Sequence, residues 1–145
     1  MHFYFVSARN PKSWVKNGHL YQAMDDIYVT VRDQDGVHYE FHLLPGFLTD
    51  GGSVPAAFRW FVPSWSSVNW LINIAYALHD AVYAAGILSR SEADDLLRGL
   101  LRDAGLSRVR ASTVCWCVNR FAKGHYGPKN DRYGSAPFVK MRRWK

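Results

Sequence analysis

Cysteine is scarce in this chain, which limits how the fold can be held together. The 145 residues include only Cys115 and Cys117, in a C-x-C spacing inside a helical pattern. Residues two apart on a helix do not face each other, which argues against a disulfide between them and against a metal site built on both. No other cysteine completes a zinc set. This cysteine usage is consistent with synthesis in a reducing cytoplasm.

Long apolar runs are also absent. No run reaches the ~18 residues of a transmembrane helix, and residues 1–6 lack the basic start and long apolar core of a secretory signal. There is no internal repeat and no low-complexity segment. With 48% hydrophobic and 21% charged residues, we expect residues 1–145 to form one folded domain.

Acidic residues are rare from residue 98 onward, where only Asp103 and Asp131 occur. The same stretch contains many basic residues: Arg98, Arg102, Arg108, Arg110, Arg120, Lys123, Lys129, Arg132, Lys140, Arg142, Arg143 and Lys145. A basic C-terminal third favours an anionic partner, such as nucleic acid, an acidic protein surface or lipid headgroups. Simple solubility would explain the imbalance equally well.

The hydrophobic periodicity predicts an α+β fold. Residues 1–47 are mostly β, with a hairpin over 27–43 that turns at Asp33–Gly36, and residues 48–66 form a loop around Asp50-Gly-Gly. Residues 67–123 contain three helices, with Ser89 and Glu92 as a capping box for the second, and residues 124–145 are a basic, aromatic tail. We therefore predict an N-terminal hairpin or small antiparallel sheet packed on a C-terminal three-helix bundle.

His79 and Asp80 lie in the middle of an otherwise apolar helix, 71–85. A helix that is apolar on all sides is buried, and a buried carboxylate needs a cation or hydrogen-bond donors. Tyr83 follows His79 by four residues and shares its face. The short loop after this helix predicts an antiparallel helical hairpin, in which Asp94 could reach His79 or Tyr83. A carboxylate on one imidazole nitrogen makes the other a better base, so we predict His79, Asp94 and Tyr83 as catalytic residues.

Asp80 and Asp50 are the candidate ligands of a divalent cation, calcium or another. Hard cations prefer carboxylate and carbonyl oxygens, and the glycines after Asp50 allow the backbone to approach a ligand closely. A metal beside a base and a water is a hydrolytic arrangement. Each residue also has an ordinary explanation: an Asp-Gly-Gly turn, an Asp80 paired with an arginine, a satisfied buried His79, or an Arg90–Asp94 surface pair.

Three segments of the chain resemble an uncharacterised phage and prophage protein family. They are Phe47-Leu-Thr-Asp-Gly-Gly-Ser-Val-Pro55, His79-Asp-Ala-Val-Tyr83 and Arg90-Ser-Glu-Ala-Asp94. The family pattern is T-D-G-A-S-[IV]-P, H-D-x-x-Y and R-x-x-A-D, and Gly52 replaces its usual alanine. The resemblance covers about residues 45–100. It implies a phage or prophage origin and adds Gly51, Ser53 and Arg90 as supporting residues.

The His-Asp helix is also similar to that of secreted phospholipase A2. In that family a histidine base lies beside a calcium-binding aspartate, and an aspartate from an antiparallel helix orients the histidine. His79, Asp80, Tyr83 and Asp94 match these roles in order. The chain departs from that family because it lacks the disulfides and because Asp50-Gly-Gly is not the family's calcium loop.

Three functions remain open at this stage. The first is a metal-dependent hydrolase of an ester, amide or phosphodiester. The second is a non-catalytic virion component of the neck, tail or baseplate, with other phage structural proteins as partners. The third is nucleic-acid binding through the basic C-terminal third. We favour a phage-encoded protein made in the bacterial host cytoplasm and incorporated in the virion, with a hydrolase-like His-Asp site.

Overall fold

The fold contains two antiparallel sheets followed by three helices, which confirms the predicted α+β class. The computed structural model describes residues 1–51, 56–58, 60–61, 65–66 and 68–145. The strands are β1 (Phe3–Arg9), β2 (Trp14–Asn17), β3 (Leu20–Ala23), β4 (Ile27–Asp33), β5 (His38–Leu43), β6 (Leu48–Thr49) and β7 (Val139–Trp144). The helices are α1 (Trp70–Ala85), α2 (Arg90–Asp103) and α3 (Arg108–Ala122).

The larger sheet has the strand order β1-β4-β5-β7, with all neighbours antiparallel. β4 and β5 form the predicted hairpin. Residues along β4 alternate between buried and half-buried, because successive side chains point to opposite faces of a sheet. Ile27, Val29 and Val31 are fully buried in the core. One face therefore packs on the helices, and the other is left to solvent.

The smaller sheet, with the order β2-β3-β6, was not predicted. Its hairpin covers residues 14–23, and its third strand is the two-residue β6, inside the segment predicted as loop. Tyr21 and Gln22 pair with Thr49 and Leu48. This short pairing fixes the backbone at Thr49, immediately before Asp50.

The helices follow the sequence signals closely. Asn69 caps α1 through a bond from the Ile72 N–H, and α1 ends at Gly86. The predicted capping box of α2 is present, with the Ser89 side chain and the Glu92 side chain each bound to the other's backbone N–H. Within the described ranges, no helix has the length and hydropathy required to span a bilayer.

The C-terminal segment differs most from the prediction. Residues 139–144 form β7, which pairs along its whole length with β5, from Leu43↔Val139 to His38↔Trp144. The basic, aromatic tail is therefore the edge strand of the larger sheet. Its alternation of half-buried Val139 and Met141 with exposed Lys140 and Arg142 follows from that position.

Candidate functional site

Helix α1 carries three of the predicted site residues into the interior. Its residues 72–79 and 81–84 are all buried, as expected for a helix that is apolar all round. His79 is only 3% exposed, and the ring of Tyr83, one turn later, lies 4.3 Å from it between centroids. Their shared face follows from the four-residue spacing.

His79 pairs with Asp94 across the α1–α2 hairpin. The distance from His79 Nε2 to Asp94 Oδ1 is 2.9 Å, and both residues are buried. The structure therefore confirms the predicted contact between facing helices. Because Nε2 is held by the carboxylate, Nδ1 is the ring nitrogen left for chemistry.

Asp94 is also held by α3, which the sequence gave no reason to expect. Asn119 donates from Nδ2 to Asp94 Oδ2 over 2.8 Å, and the Cys115 thiol donates to the Asp94 backbone carbonyl over 3.5 Å. Burial alone would raise the pKa of Asp94, but hydrogen bonds from His79 and Asn119 and the charge of His79 lower it below its usual value. Asp94 is thus stabilised as a carboxylate.

Tyr83 completes the group around Asp94. Its hydroxyl donates to Asp94 Oδ1 over 3.4 Å. Burial raises the pKa of Tyr83, and a hydrogen bond with Arg90 partly opposes this shift. Arg90 is therefore connected to the site through its hydrogen bond with Tyr83. It is not only one half of a surface pair with Asp94.

Asp80 points to a second, partly buried cluster, formed with β6. The Thr49 hydroxyl donates to Asp80 Oδ2, and the Asp50 backbone N–H approaches the same oxygen at 3.4 Å. Burial, the negative charge of Asp50 and a hydrogen bond with its side chain raise the pKa of Asp80 well above the usual value. The two carboxyl groups predicted as metal ligands therefore lie together.

Asp50 is bound from the C-terminal segment. Arg132 Nη2 lies 2.9 Å from Asp50 Oδ2, and the Tyr133 hydroxyl donates to the same oxygen over 3.4 Å. Burial and the charge of Asp50 raise the pKa of Tyr133. Neither Arg132 nor Tyr133 was predicted. Their distance along the chain, 82 and 83 residues from Asp50, leaves no local sequence signal.

Both clusters open into one small cleft. Its volume is about 40 Å³, which has room for water, since one water needs roughly 10–15 Å³. A whole substrate would need several hundred cubic ångströms. The lining residues are His79, Asp80, Tyr83, Ala84, His125, Asp131, Arg132 and Tyr133. His125, which was not predicted as a site residue from the sequence, is part of this lining.

The segment that covers the cleft is anchored to the helical hairpin. Gly127 donates its backbone N–H to the Tyr83 carbonyl over 2.7 Å. The Tyr126 hydroxyl donates to the Leu88 carbonyl, and the rings of Tyr83 and Tyr126 meet edge to face at 5.4 Å. These bonds hold His125 and the following residues over α1.

Backbone conformation and close packing explain why position 51 is a glycine. It is buried with φ +70°, a left-handed conformation that favours glycine. An added Cβ would lie 2.9 Å from the Trp65 ring and 3.0 Å from the Tyr21 ring. These two rings stack at 4.0 Å, so Gly51 fixes the turn after Asp50. Ser53, the other supporting residue of this segment, lies outside the described residues.

The carboxyl pair is a partial fit to a cation site. Asp50, Asp80 and the Thr49 hydroxyl supply the oxygen ligands that a hard cation prefers, whereas Arg132 already neutralises part of the charge. Among the residues that the structure describes, no group of three or more histidine, cysteine, aspartate or glutamate side chains could hold a metal ion. A cation here would need water or backbone oxygens to complete its coordination.

The fold and this cleft define a small α+β protein with a buried His-Asp pair beside a half-buried carboxyl pair. The chain belongs to the family described as Protein of unknown function (DUF1353), whose model matches residues 22–118. The match includes all three segments quoted above and confirms the expected membership of an uncharacterised family. No curated protein and no solved structure matches the chain significantly.

Proposed function

We propose that this chain is a phage- or prophage-encoded, virion-associated hydrolase in which His79 is the general base. The observation that carries the proposal is that His79, which is paired with Asp94, lines a water-sized cleft. The substrate class is an ester, amide or phosphodiester, whose reacting group would enter the cleft from its mouth. We expect other phage structural proteins as partners.

The residues suggest how a water would be activated. Asp94 accepts the Nε2 proton of His79 and fixes the tautomer, so that Nδ1 can take a proton from water. The resulting hydroxide attacks the carbonyl carbon or phosphorus, and the leaving oxygen or nitrogen takes the proton back from the imidazolium. Asn119 and Tyr83 hold Asp94 in the orientation that this transfer needs.

Asp50 and Asp80 are the residues that would hold a divalent cation. Such a cation, calcium or another, would polarise the substrate oxygen beside the base. The raised pKa of Asp80 supports this role, because two carboxyl groups held together in a buried place gain from a shared positive charge. Arg132 supplies part of that charge in the chain alone.

A second function has its own support: a non-catalytic virion adaptor in the neck, tail or baseplate. The same side chains link separate elements, since Asp94 joins all three helices and Asp80 joins α1 to β6. Buried polar groups of this kind can serve only to specify a unique packing. The small cleft volume agrees with this alternative.

Thermal unfolding with metals separates the two functions. We would add calcium, magnesium, manganese or zinc to the wild type and to Asp80→Asn, with Asp95→Asn as the matched control on α2. A cation at about 100 times its dissociation constant adds ~2.7 kcal/mol of stability. The proposal expects a metal-dependent rise in Tm that Asp80→Asn loses and Asp95→Asn keeps.

Hydrolysis of chromogenic ester, amide and phosphodiester substrates then tests the base. His79→Gln should lower kcat by roughly 10²- to 10⁴-fold while the protein stays folded by circular dichroism. If no metal shifts Tm, no substrate is turned over, and both Asp80→Asn and His79→Gln strongly destabilise the fold, then the site is structural and the adaptor function stands.

A further inference from the structure

The solvent face of the larger sheet carries an ordered set of polar and aromatic side chains. Residues paired across β1, β4, β5 and β7 project to the same side, and this set alternates with the buried core positions. The first row is Tyr4, Arg32, His38 and Trp144; the middle row is Ser7, Thr30, Glu40 and Arg142; the third row is Arg9, Tyr28, His42 and Lys140.

The third row is a continuous stack of planar groups. The Arg9 guanidinium lies 4.1 Å from the centre of the Tyr28 ring, and the His42 ring stacks on Tyr28 at 4.2 Å. Lys140 is exposed at the end of the row. Asp26 binds His42 Nε2 over 2.7 Å and so fixes the ring.

The first row is built in the same way. The Arg32 guanidinium lies 5.1 Å from the Tyr4 ring centre, and His38 stacks on Trp144 at 5.4 Å with the planes only 10° apart. Tyr4 and Trp144 are 43% and 42% exposed. Large aromatic groups at both edges of the sheet therefore face solvent.

A groove runs across the strands along the middle and third rows. The outer rows are four residues apart along β4, β5 and β7, about 13 Å, and five apart along β1, which has a bulge between Phe5 and Ser7. The middle row begins with the small residues Ser7 and Thr30. The cavity beside the third row has a volume of about 420 Å³ and is lined by Ser7, Ala8, Arg9, Tyr28, Thr30, Glu40 and Arg142. This volume lies in the range of small-molecule sites.

The charge of this face of the sheet favours an anionic occupant. The three rows contain four cationic side chains, those of Arg9, Arg32, Lys140 and Arg142, against one carboxylate, that of Glu40. Glu40 is already bound by Arg142 Nε over 2.8 Å, and the Arg142 side chain is 72% exposed.

We propose that this face binds single-stranded nucleic acid. Cationic side chains beside exposed aromatic rings, here Tyr4 and Trp144, are the combination that binds a phosphate backbone and stacks its bases. An acidic peptide would use the cations and leave the ring planes without a role. The surface combines residues of the first 42 positions with the last strand, so it differs from a site built on the basic C-terminal third alone. It does not depend on the proposed hydrolase.

Fluorescence anisotropy with labelled single strands of roughly 12 nucleotides tests the proposal, because sheet-type sites cover ~4–16 nucleotides. One series of measurements uses oligothymidine DNA and the other uses oligouridine RNA. Comparing the two affinities identifies the preferred nucleic acid. With about three phosphate contacts, the slope of log affinity against log salt should be about −2. The double variant Arg9→Ala with Lys140→Ala should make the slope shallower, with a magnitude below about 1, because it removes two phosphate contacts.

Two single variants make the test specific to this face. Tyr4→Ala should weaken binding about tenfold, because it removes a 43% exposed stacking partner. Arg108→Ala removes one exposed cation from α3 and should change affinity less than about twofold; thermal unfolding confirms that each variant folds. The proposal is overturned if neither strand binds, if Arg108→Ala weakens binding as much as Tyr4→Ala, or if polyglutamate or phosphatidylserine vesicles bind the wild type in preference to both strands.

Discussion

At the scale of single residues, Asp33 shows how one carboxylate organises a turn. It lies at the end of β4, is 2% exposed, and accepts hydrogen bonds from the Asp35 and Val37 backbone N–H groups over 2.8 and 3.0 Å. The Tyr39 hydroxyl donates to its other oxygen over 2.9 Å. Burial opposes ionisation, but these bonds keep the pKa of Asp33 below its usual value of 3.8.

Asp33→Asn should therefore destabilise the fold by about 1–3 kcal/mol near neutral pH, because buried donors lose a charged acceptor. A lowered carboxyl pKa contributes stability that is present above the unfolded value and lost as pH falls through the folded one. Urea unfolding at pH 7 and pH 3 should show the difference between wild type and Asp33→Asn shrinking in acid. Asp35→Asn, exposed in the same turn, is the control. A difference that is constant with pH would contradict the expectation.

Individual residues also show which parts of the site could be predicted from the sequence. His79 and Asp94 were predicted to meet, because an i,i+4 face and a short interhelical loop are local properties. Thr49 as the partner of Asp80 could have been found from its place beside Asp50 in the motif. Arg132 and Asn119 could not, since their contacts depend on how distant segments pack.

At the scale of elements, helix α2 packs on strand β1 at Gly99. A Cβ at this position would lie 2.3 Å from the Phe3 carbonyl oxygen, which is far inside van der Waals contact. The missing side chain allows the close approach that brings the helix onto the sheet. The obstacle is backbone, so a small rotation of a side chain cannot remove it.

Gly99→Ala should consequently destabilise the fold, even though helix propensity favours alanine over glycine by about 1 kcal/mol. We expect a net loss of about 1–3 kcal/mol, the range for overpacked sites, measured by urea unfolding. A stabilised variant would mean that α2 and β1 are not in this close contact.

The helices and the β4–β5 hairpin were predictable because their signals are local. Ser89 with Glu92 marks the start of α2, and Asp33–Gly36 marks a turn. The hairpin of β2 and β3 was missed, since its four-residue strands are too short for a clear alternation. β6 was missed for the same reason, because its two residues pair only through the tertiary structure.

At the scale of the whole molecule, the two edge strands of the larger sheet, β1 and β7, come from opposite ends of the sequence. β7 packs Met141 opposite Phe41, toward the core, while its neighbour Lys140 faces solvent. No sequence pattern near residue 139 specifies β5 as the partner. The larger sheet was therefore predicted only in its β4–β5 part.

Met141→Ala should lower the free energy of unfolding by about 2 kcal/mol, the lower end for truncating a buried methionine, because Met141 is only half-buried. Lys140→Ala should change it by less than about 0.5 kcal/mol. Chemical denaturation of the two variants measures both. Equal effects at the two positions would argue against the β5–β7 register.

The pairing of β5 with β7 also means that the larger sheet can be completed only late in synthesis. β5 leaves the ribosome roughly 100 residues before β7 does, which at bacterial and eukaryotic elongation rates is a delay of roughly 5–20 s. During this interval the backbone N–H and C=O groups along one side of β5 have no strand to pair with, and such an edge can recruit other nascent chains. The pairing of β7 thus ends the period in which this edge of β5 is open to other chains.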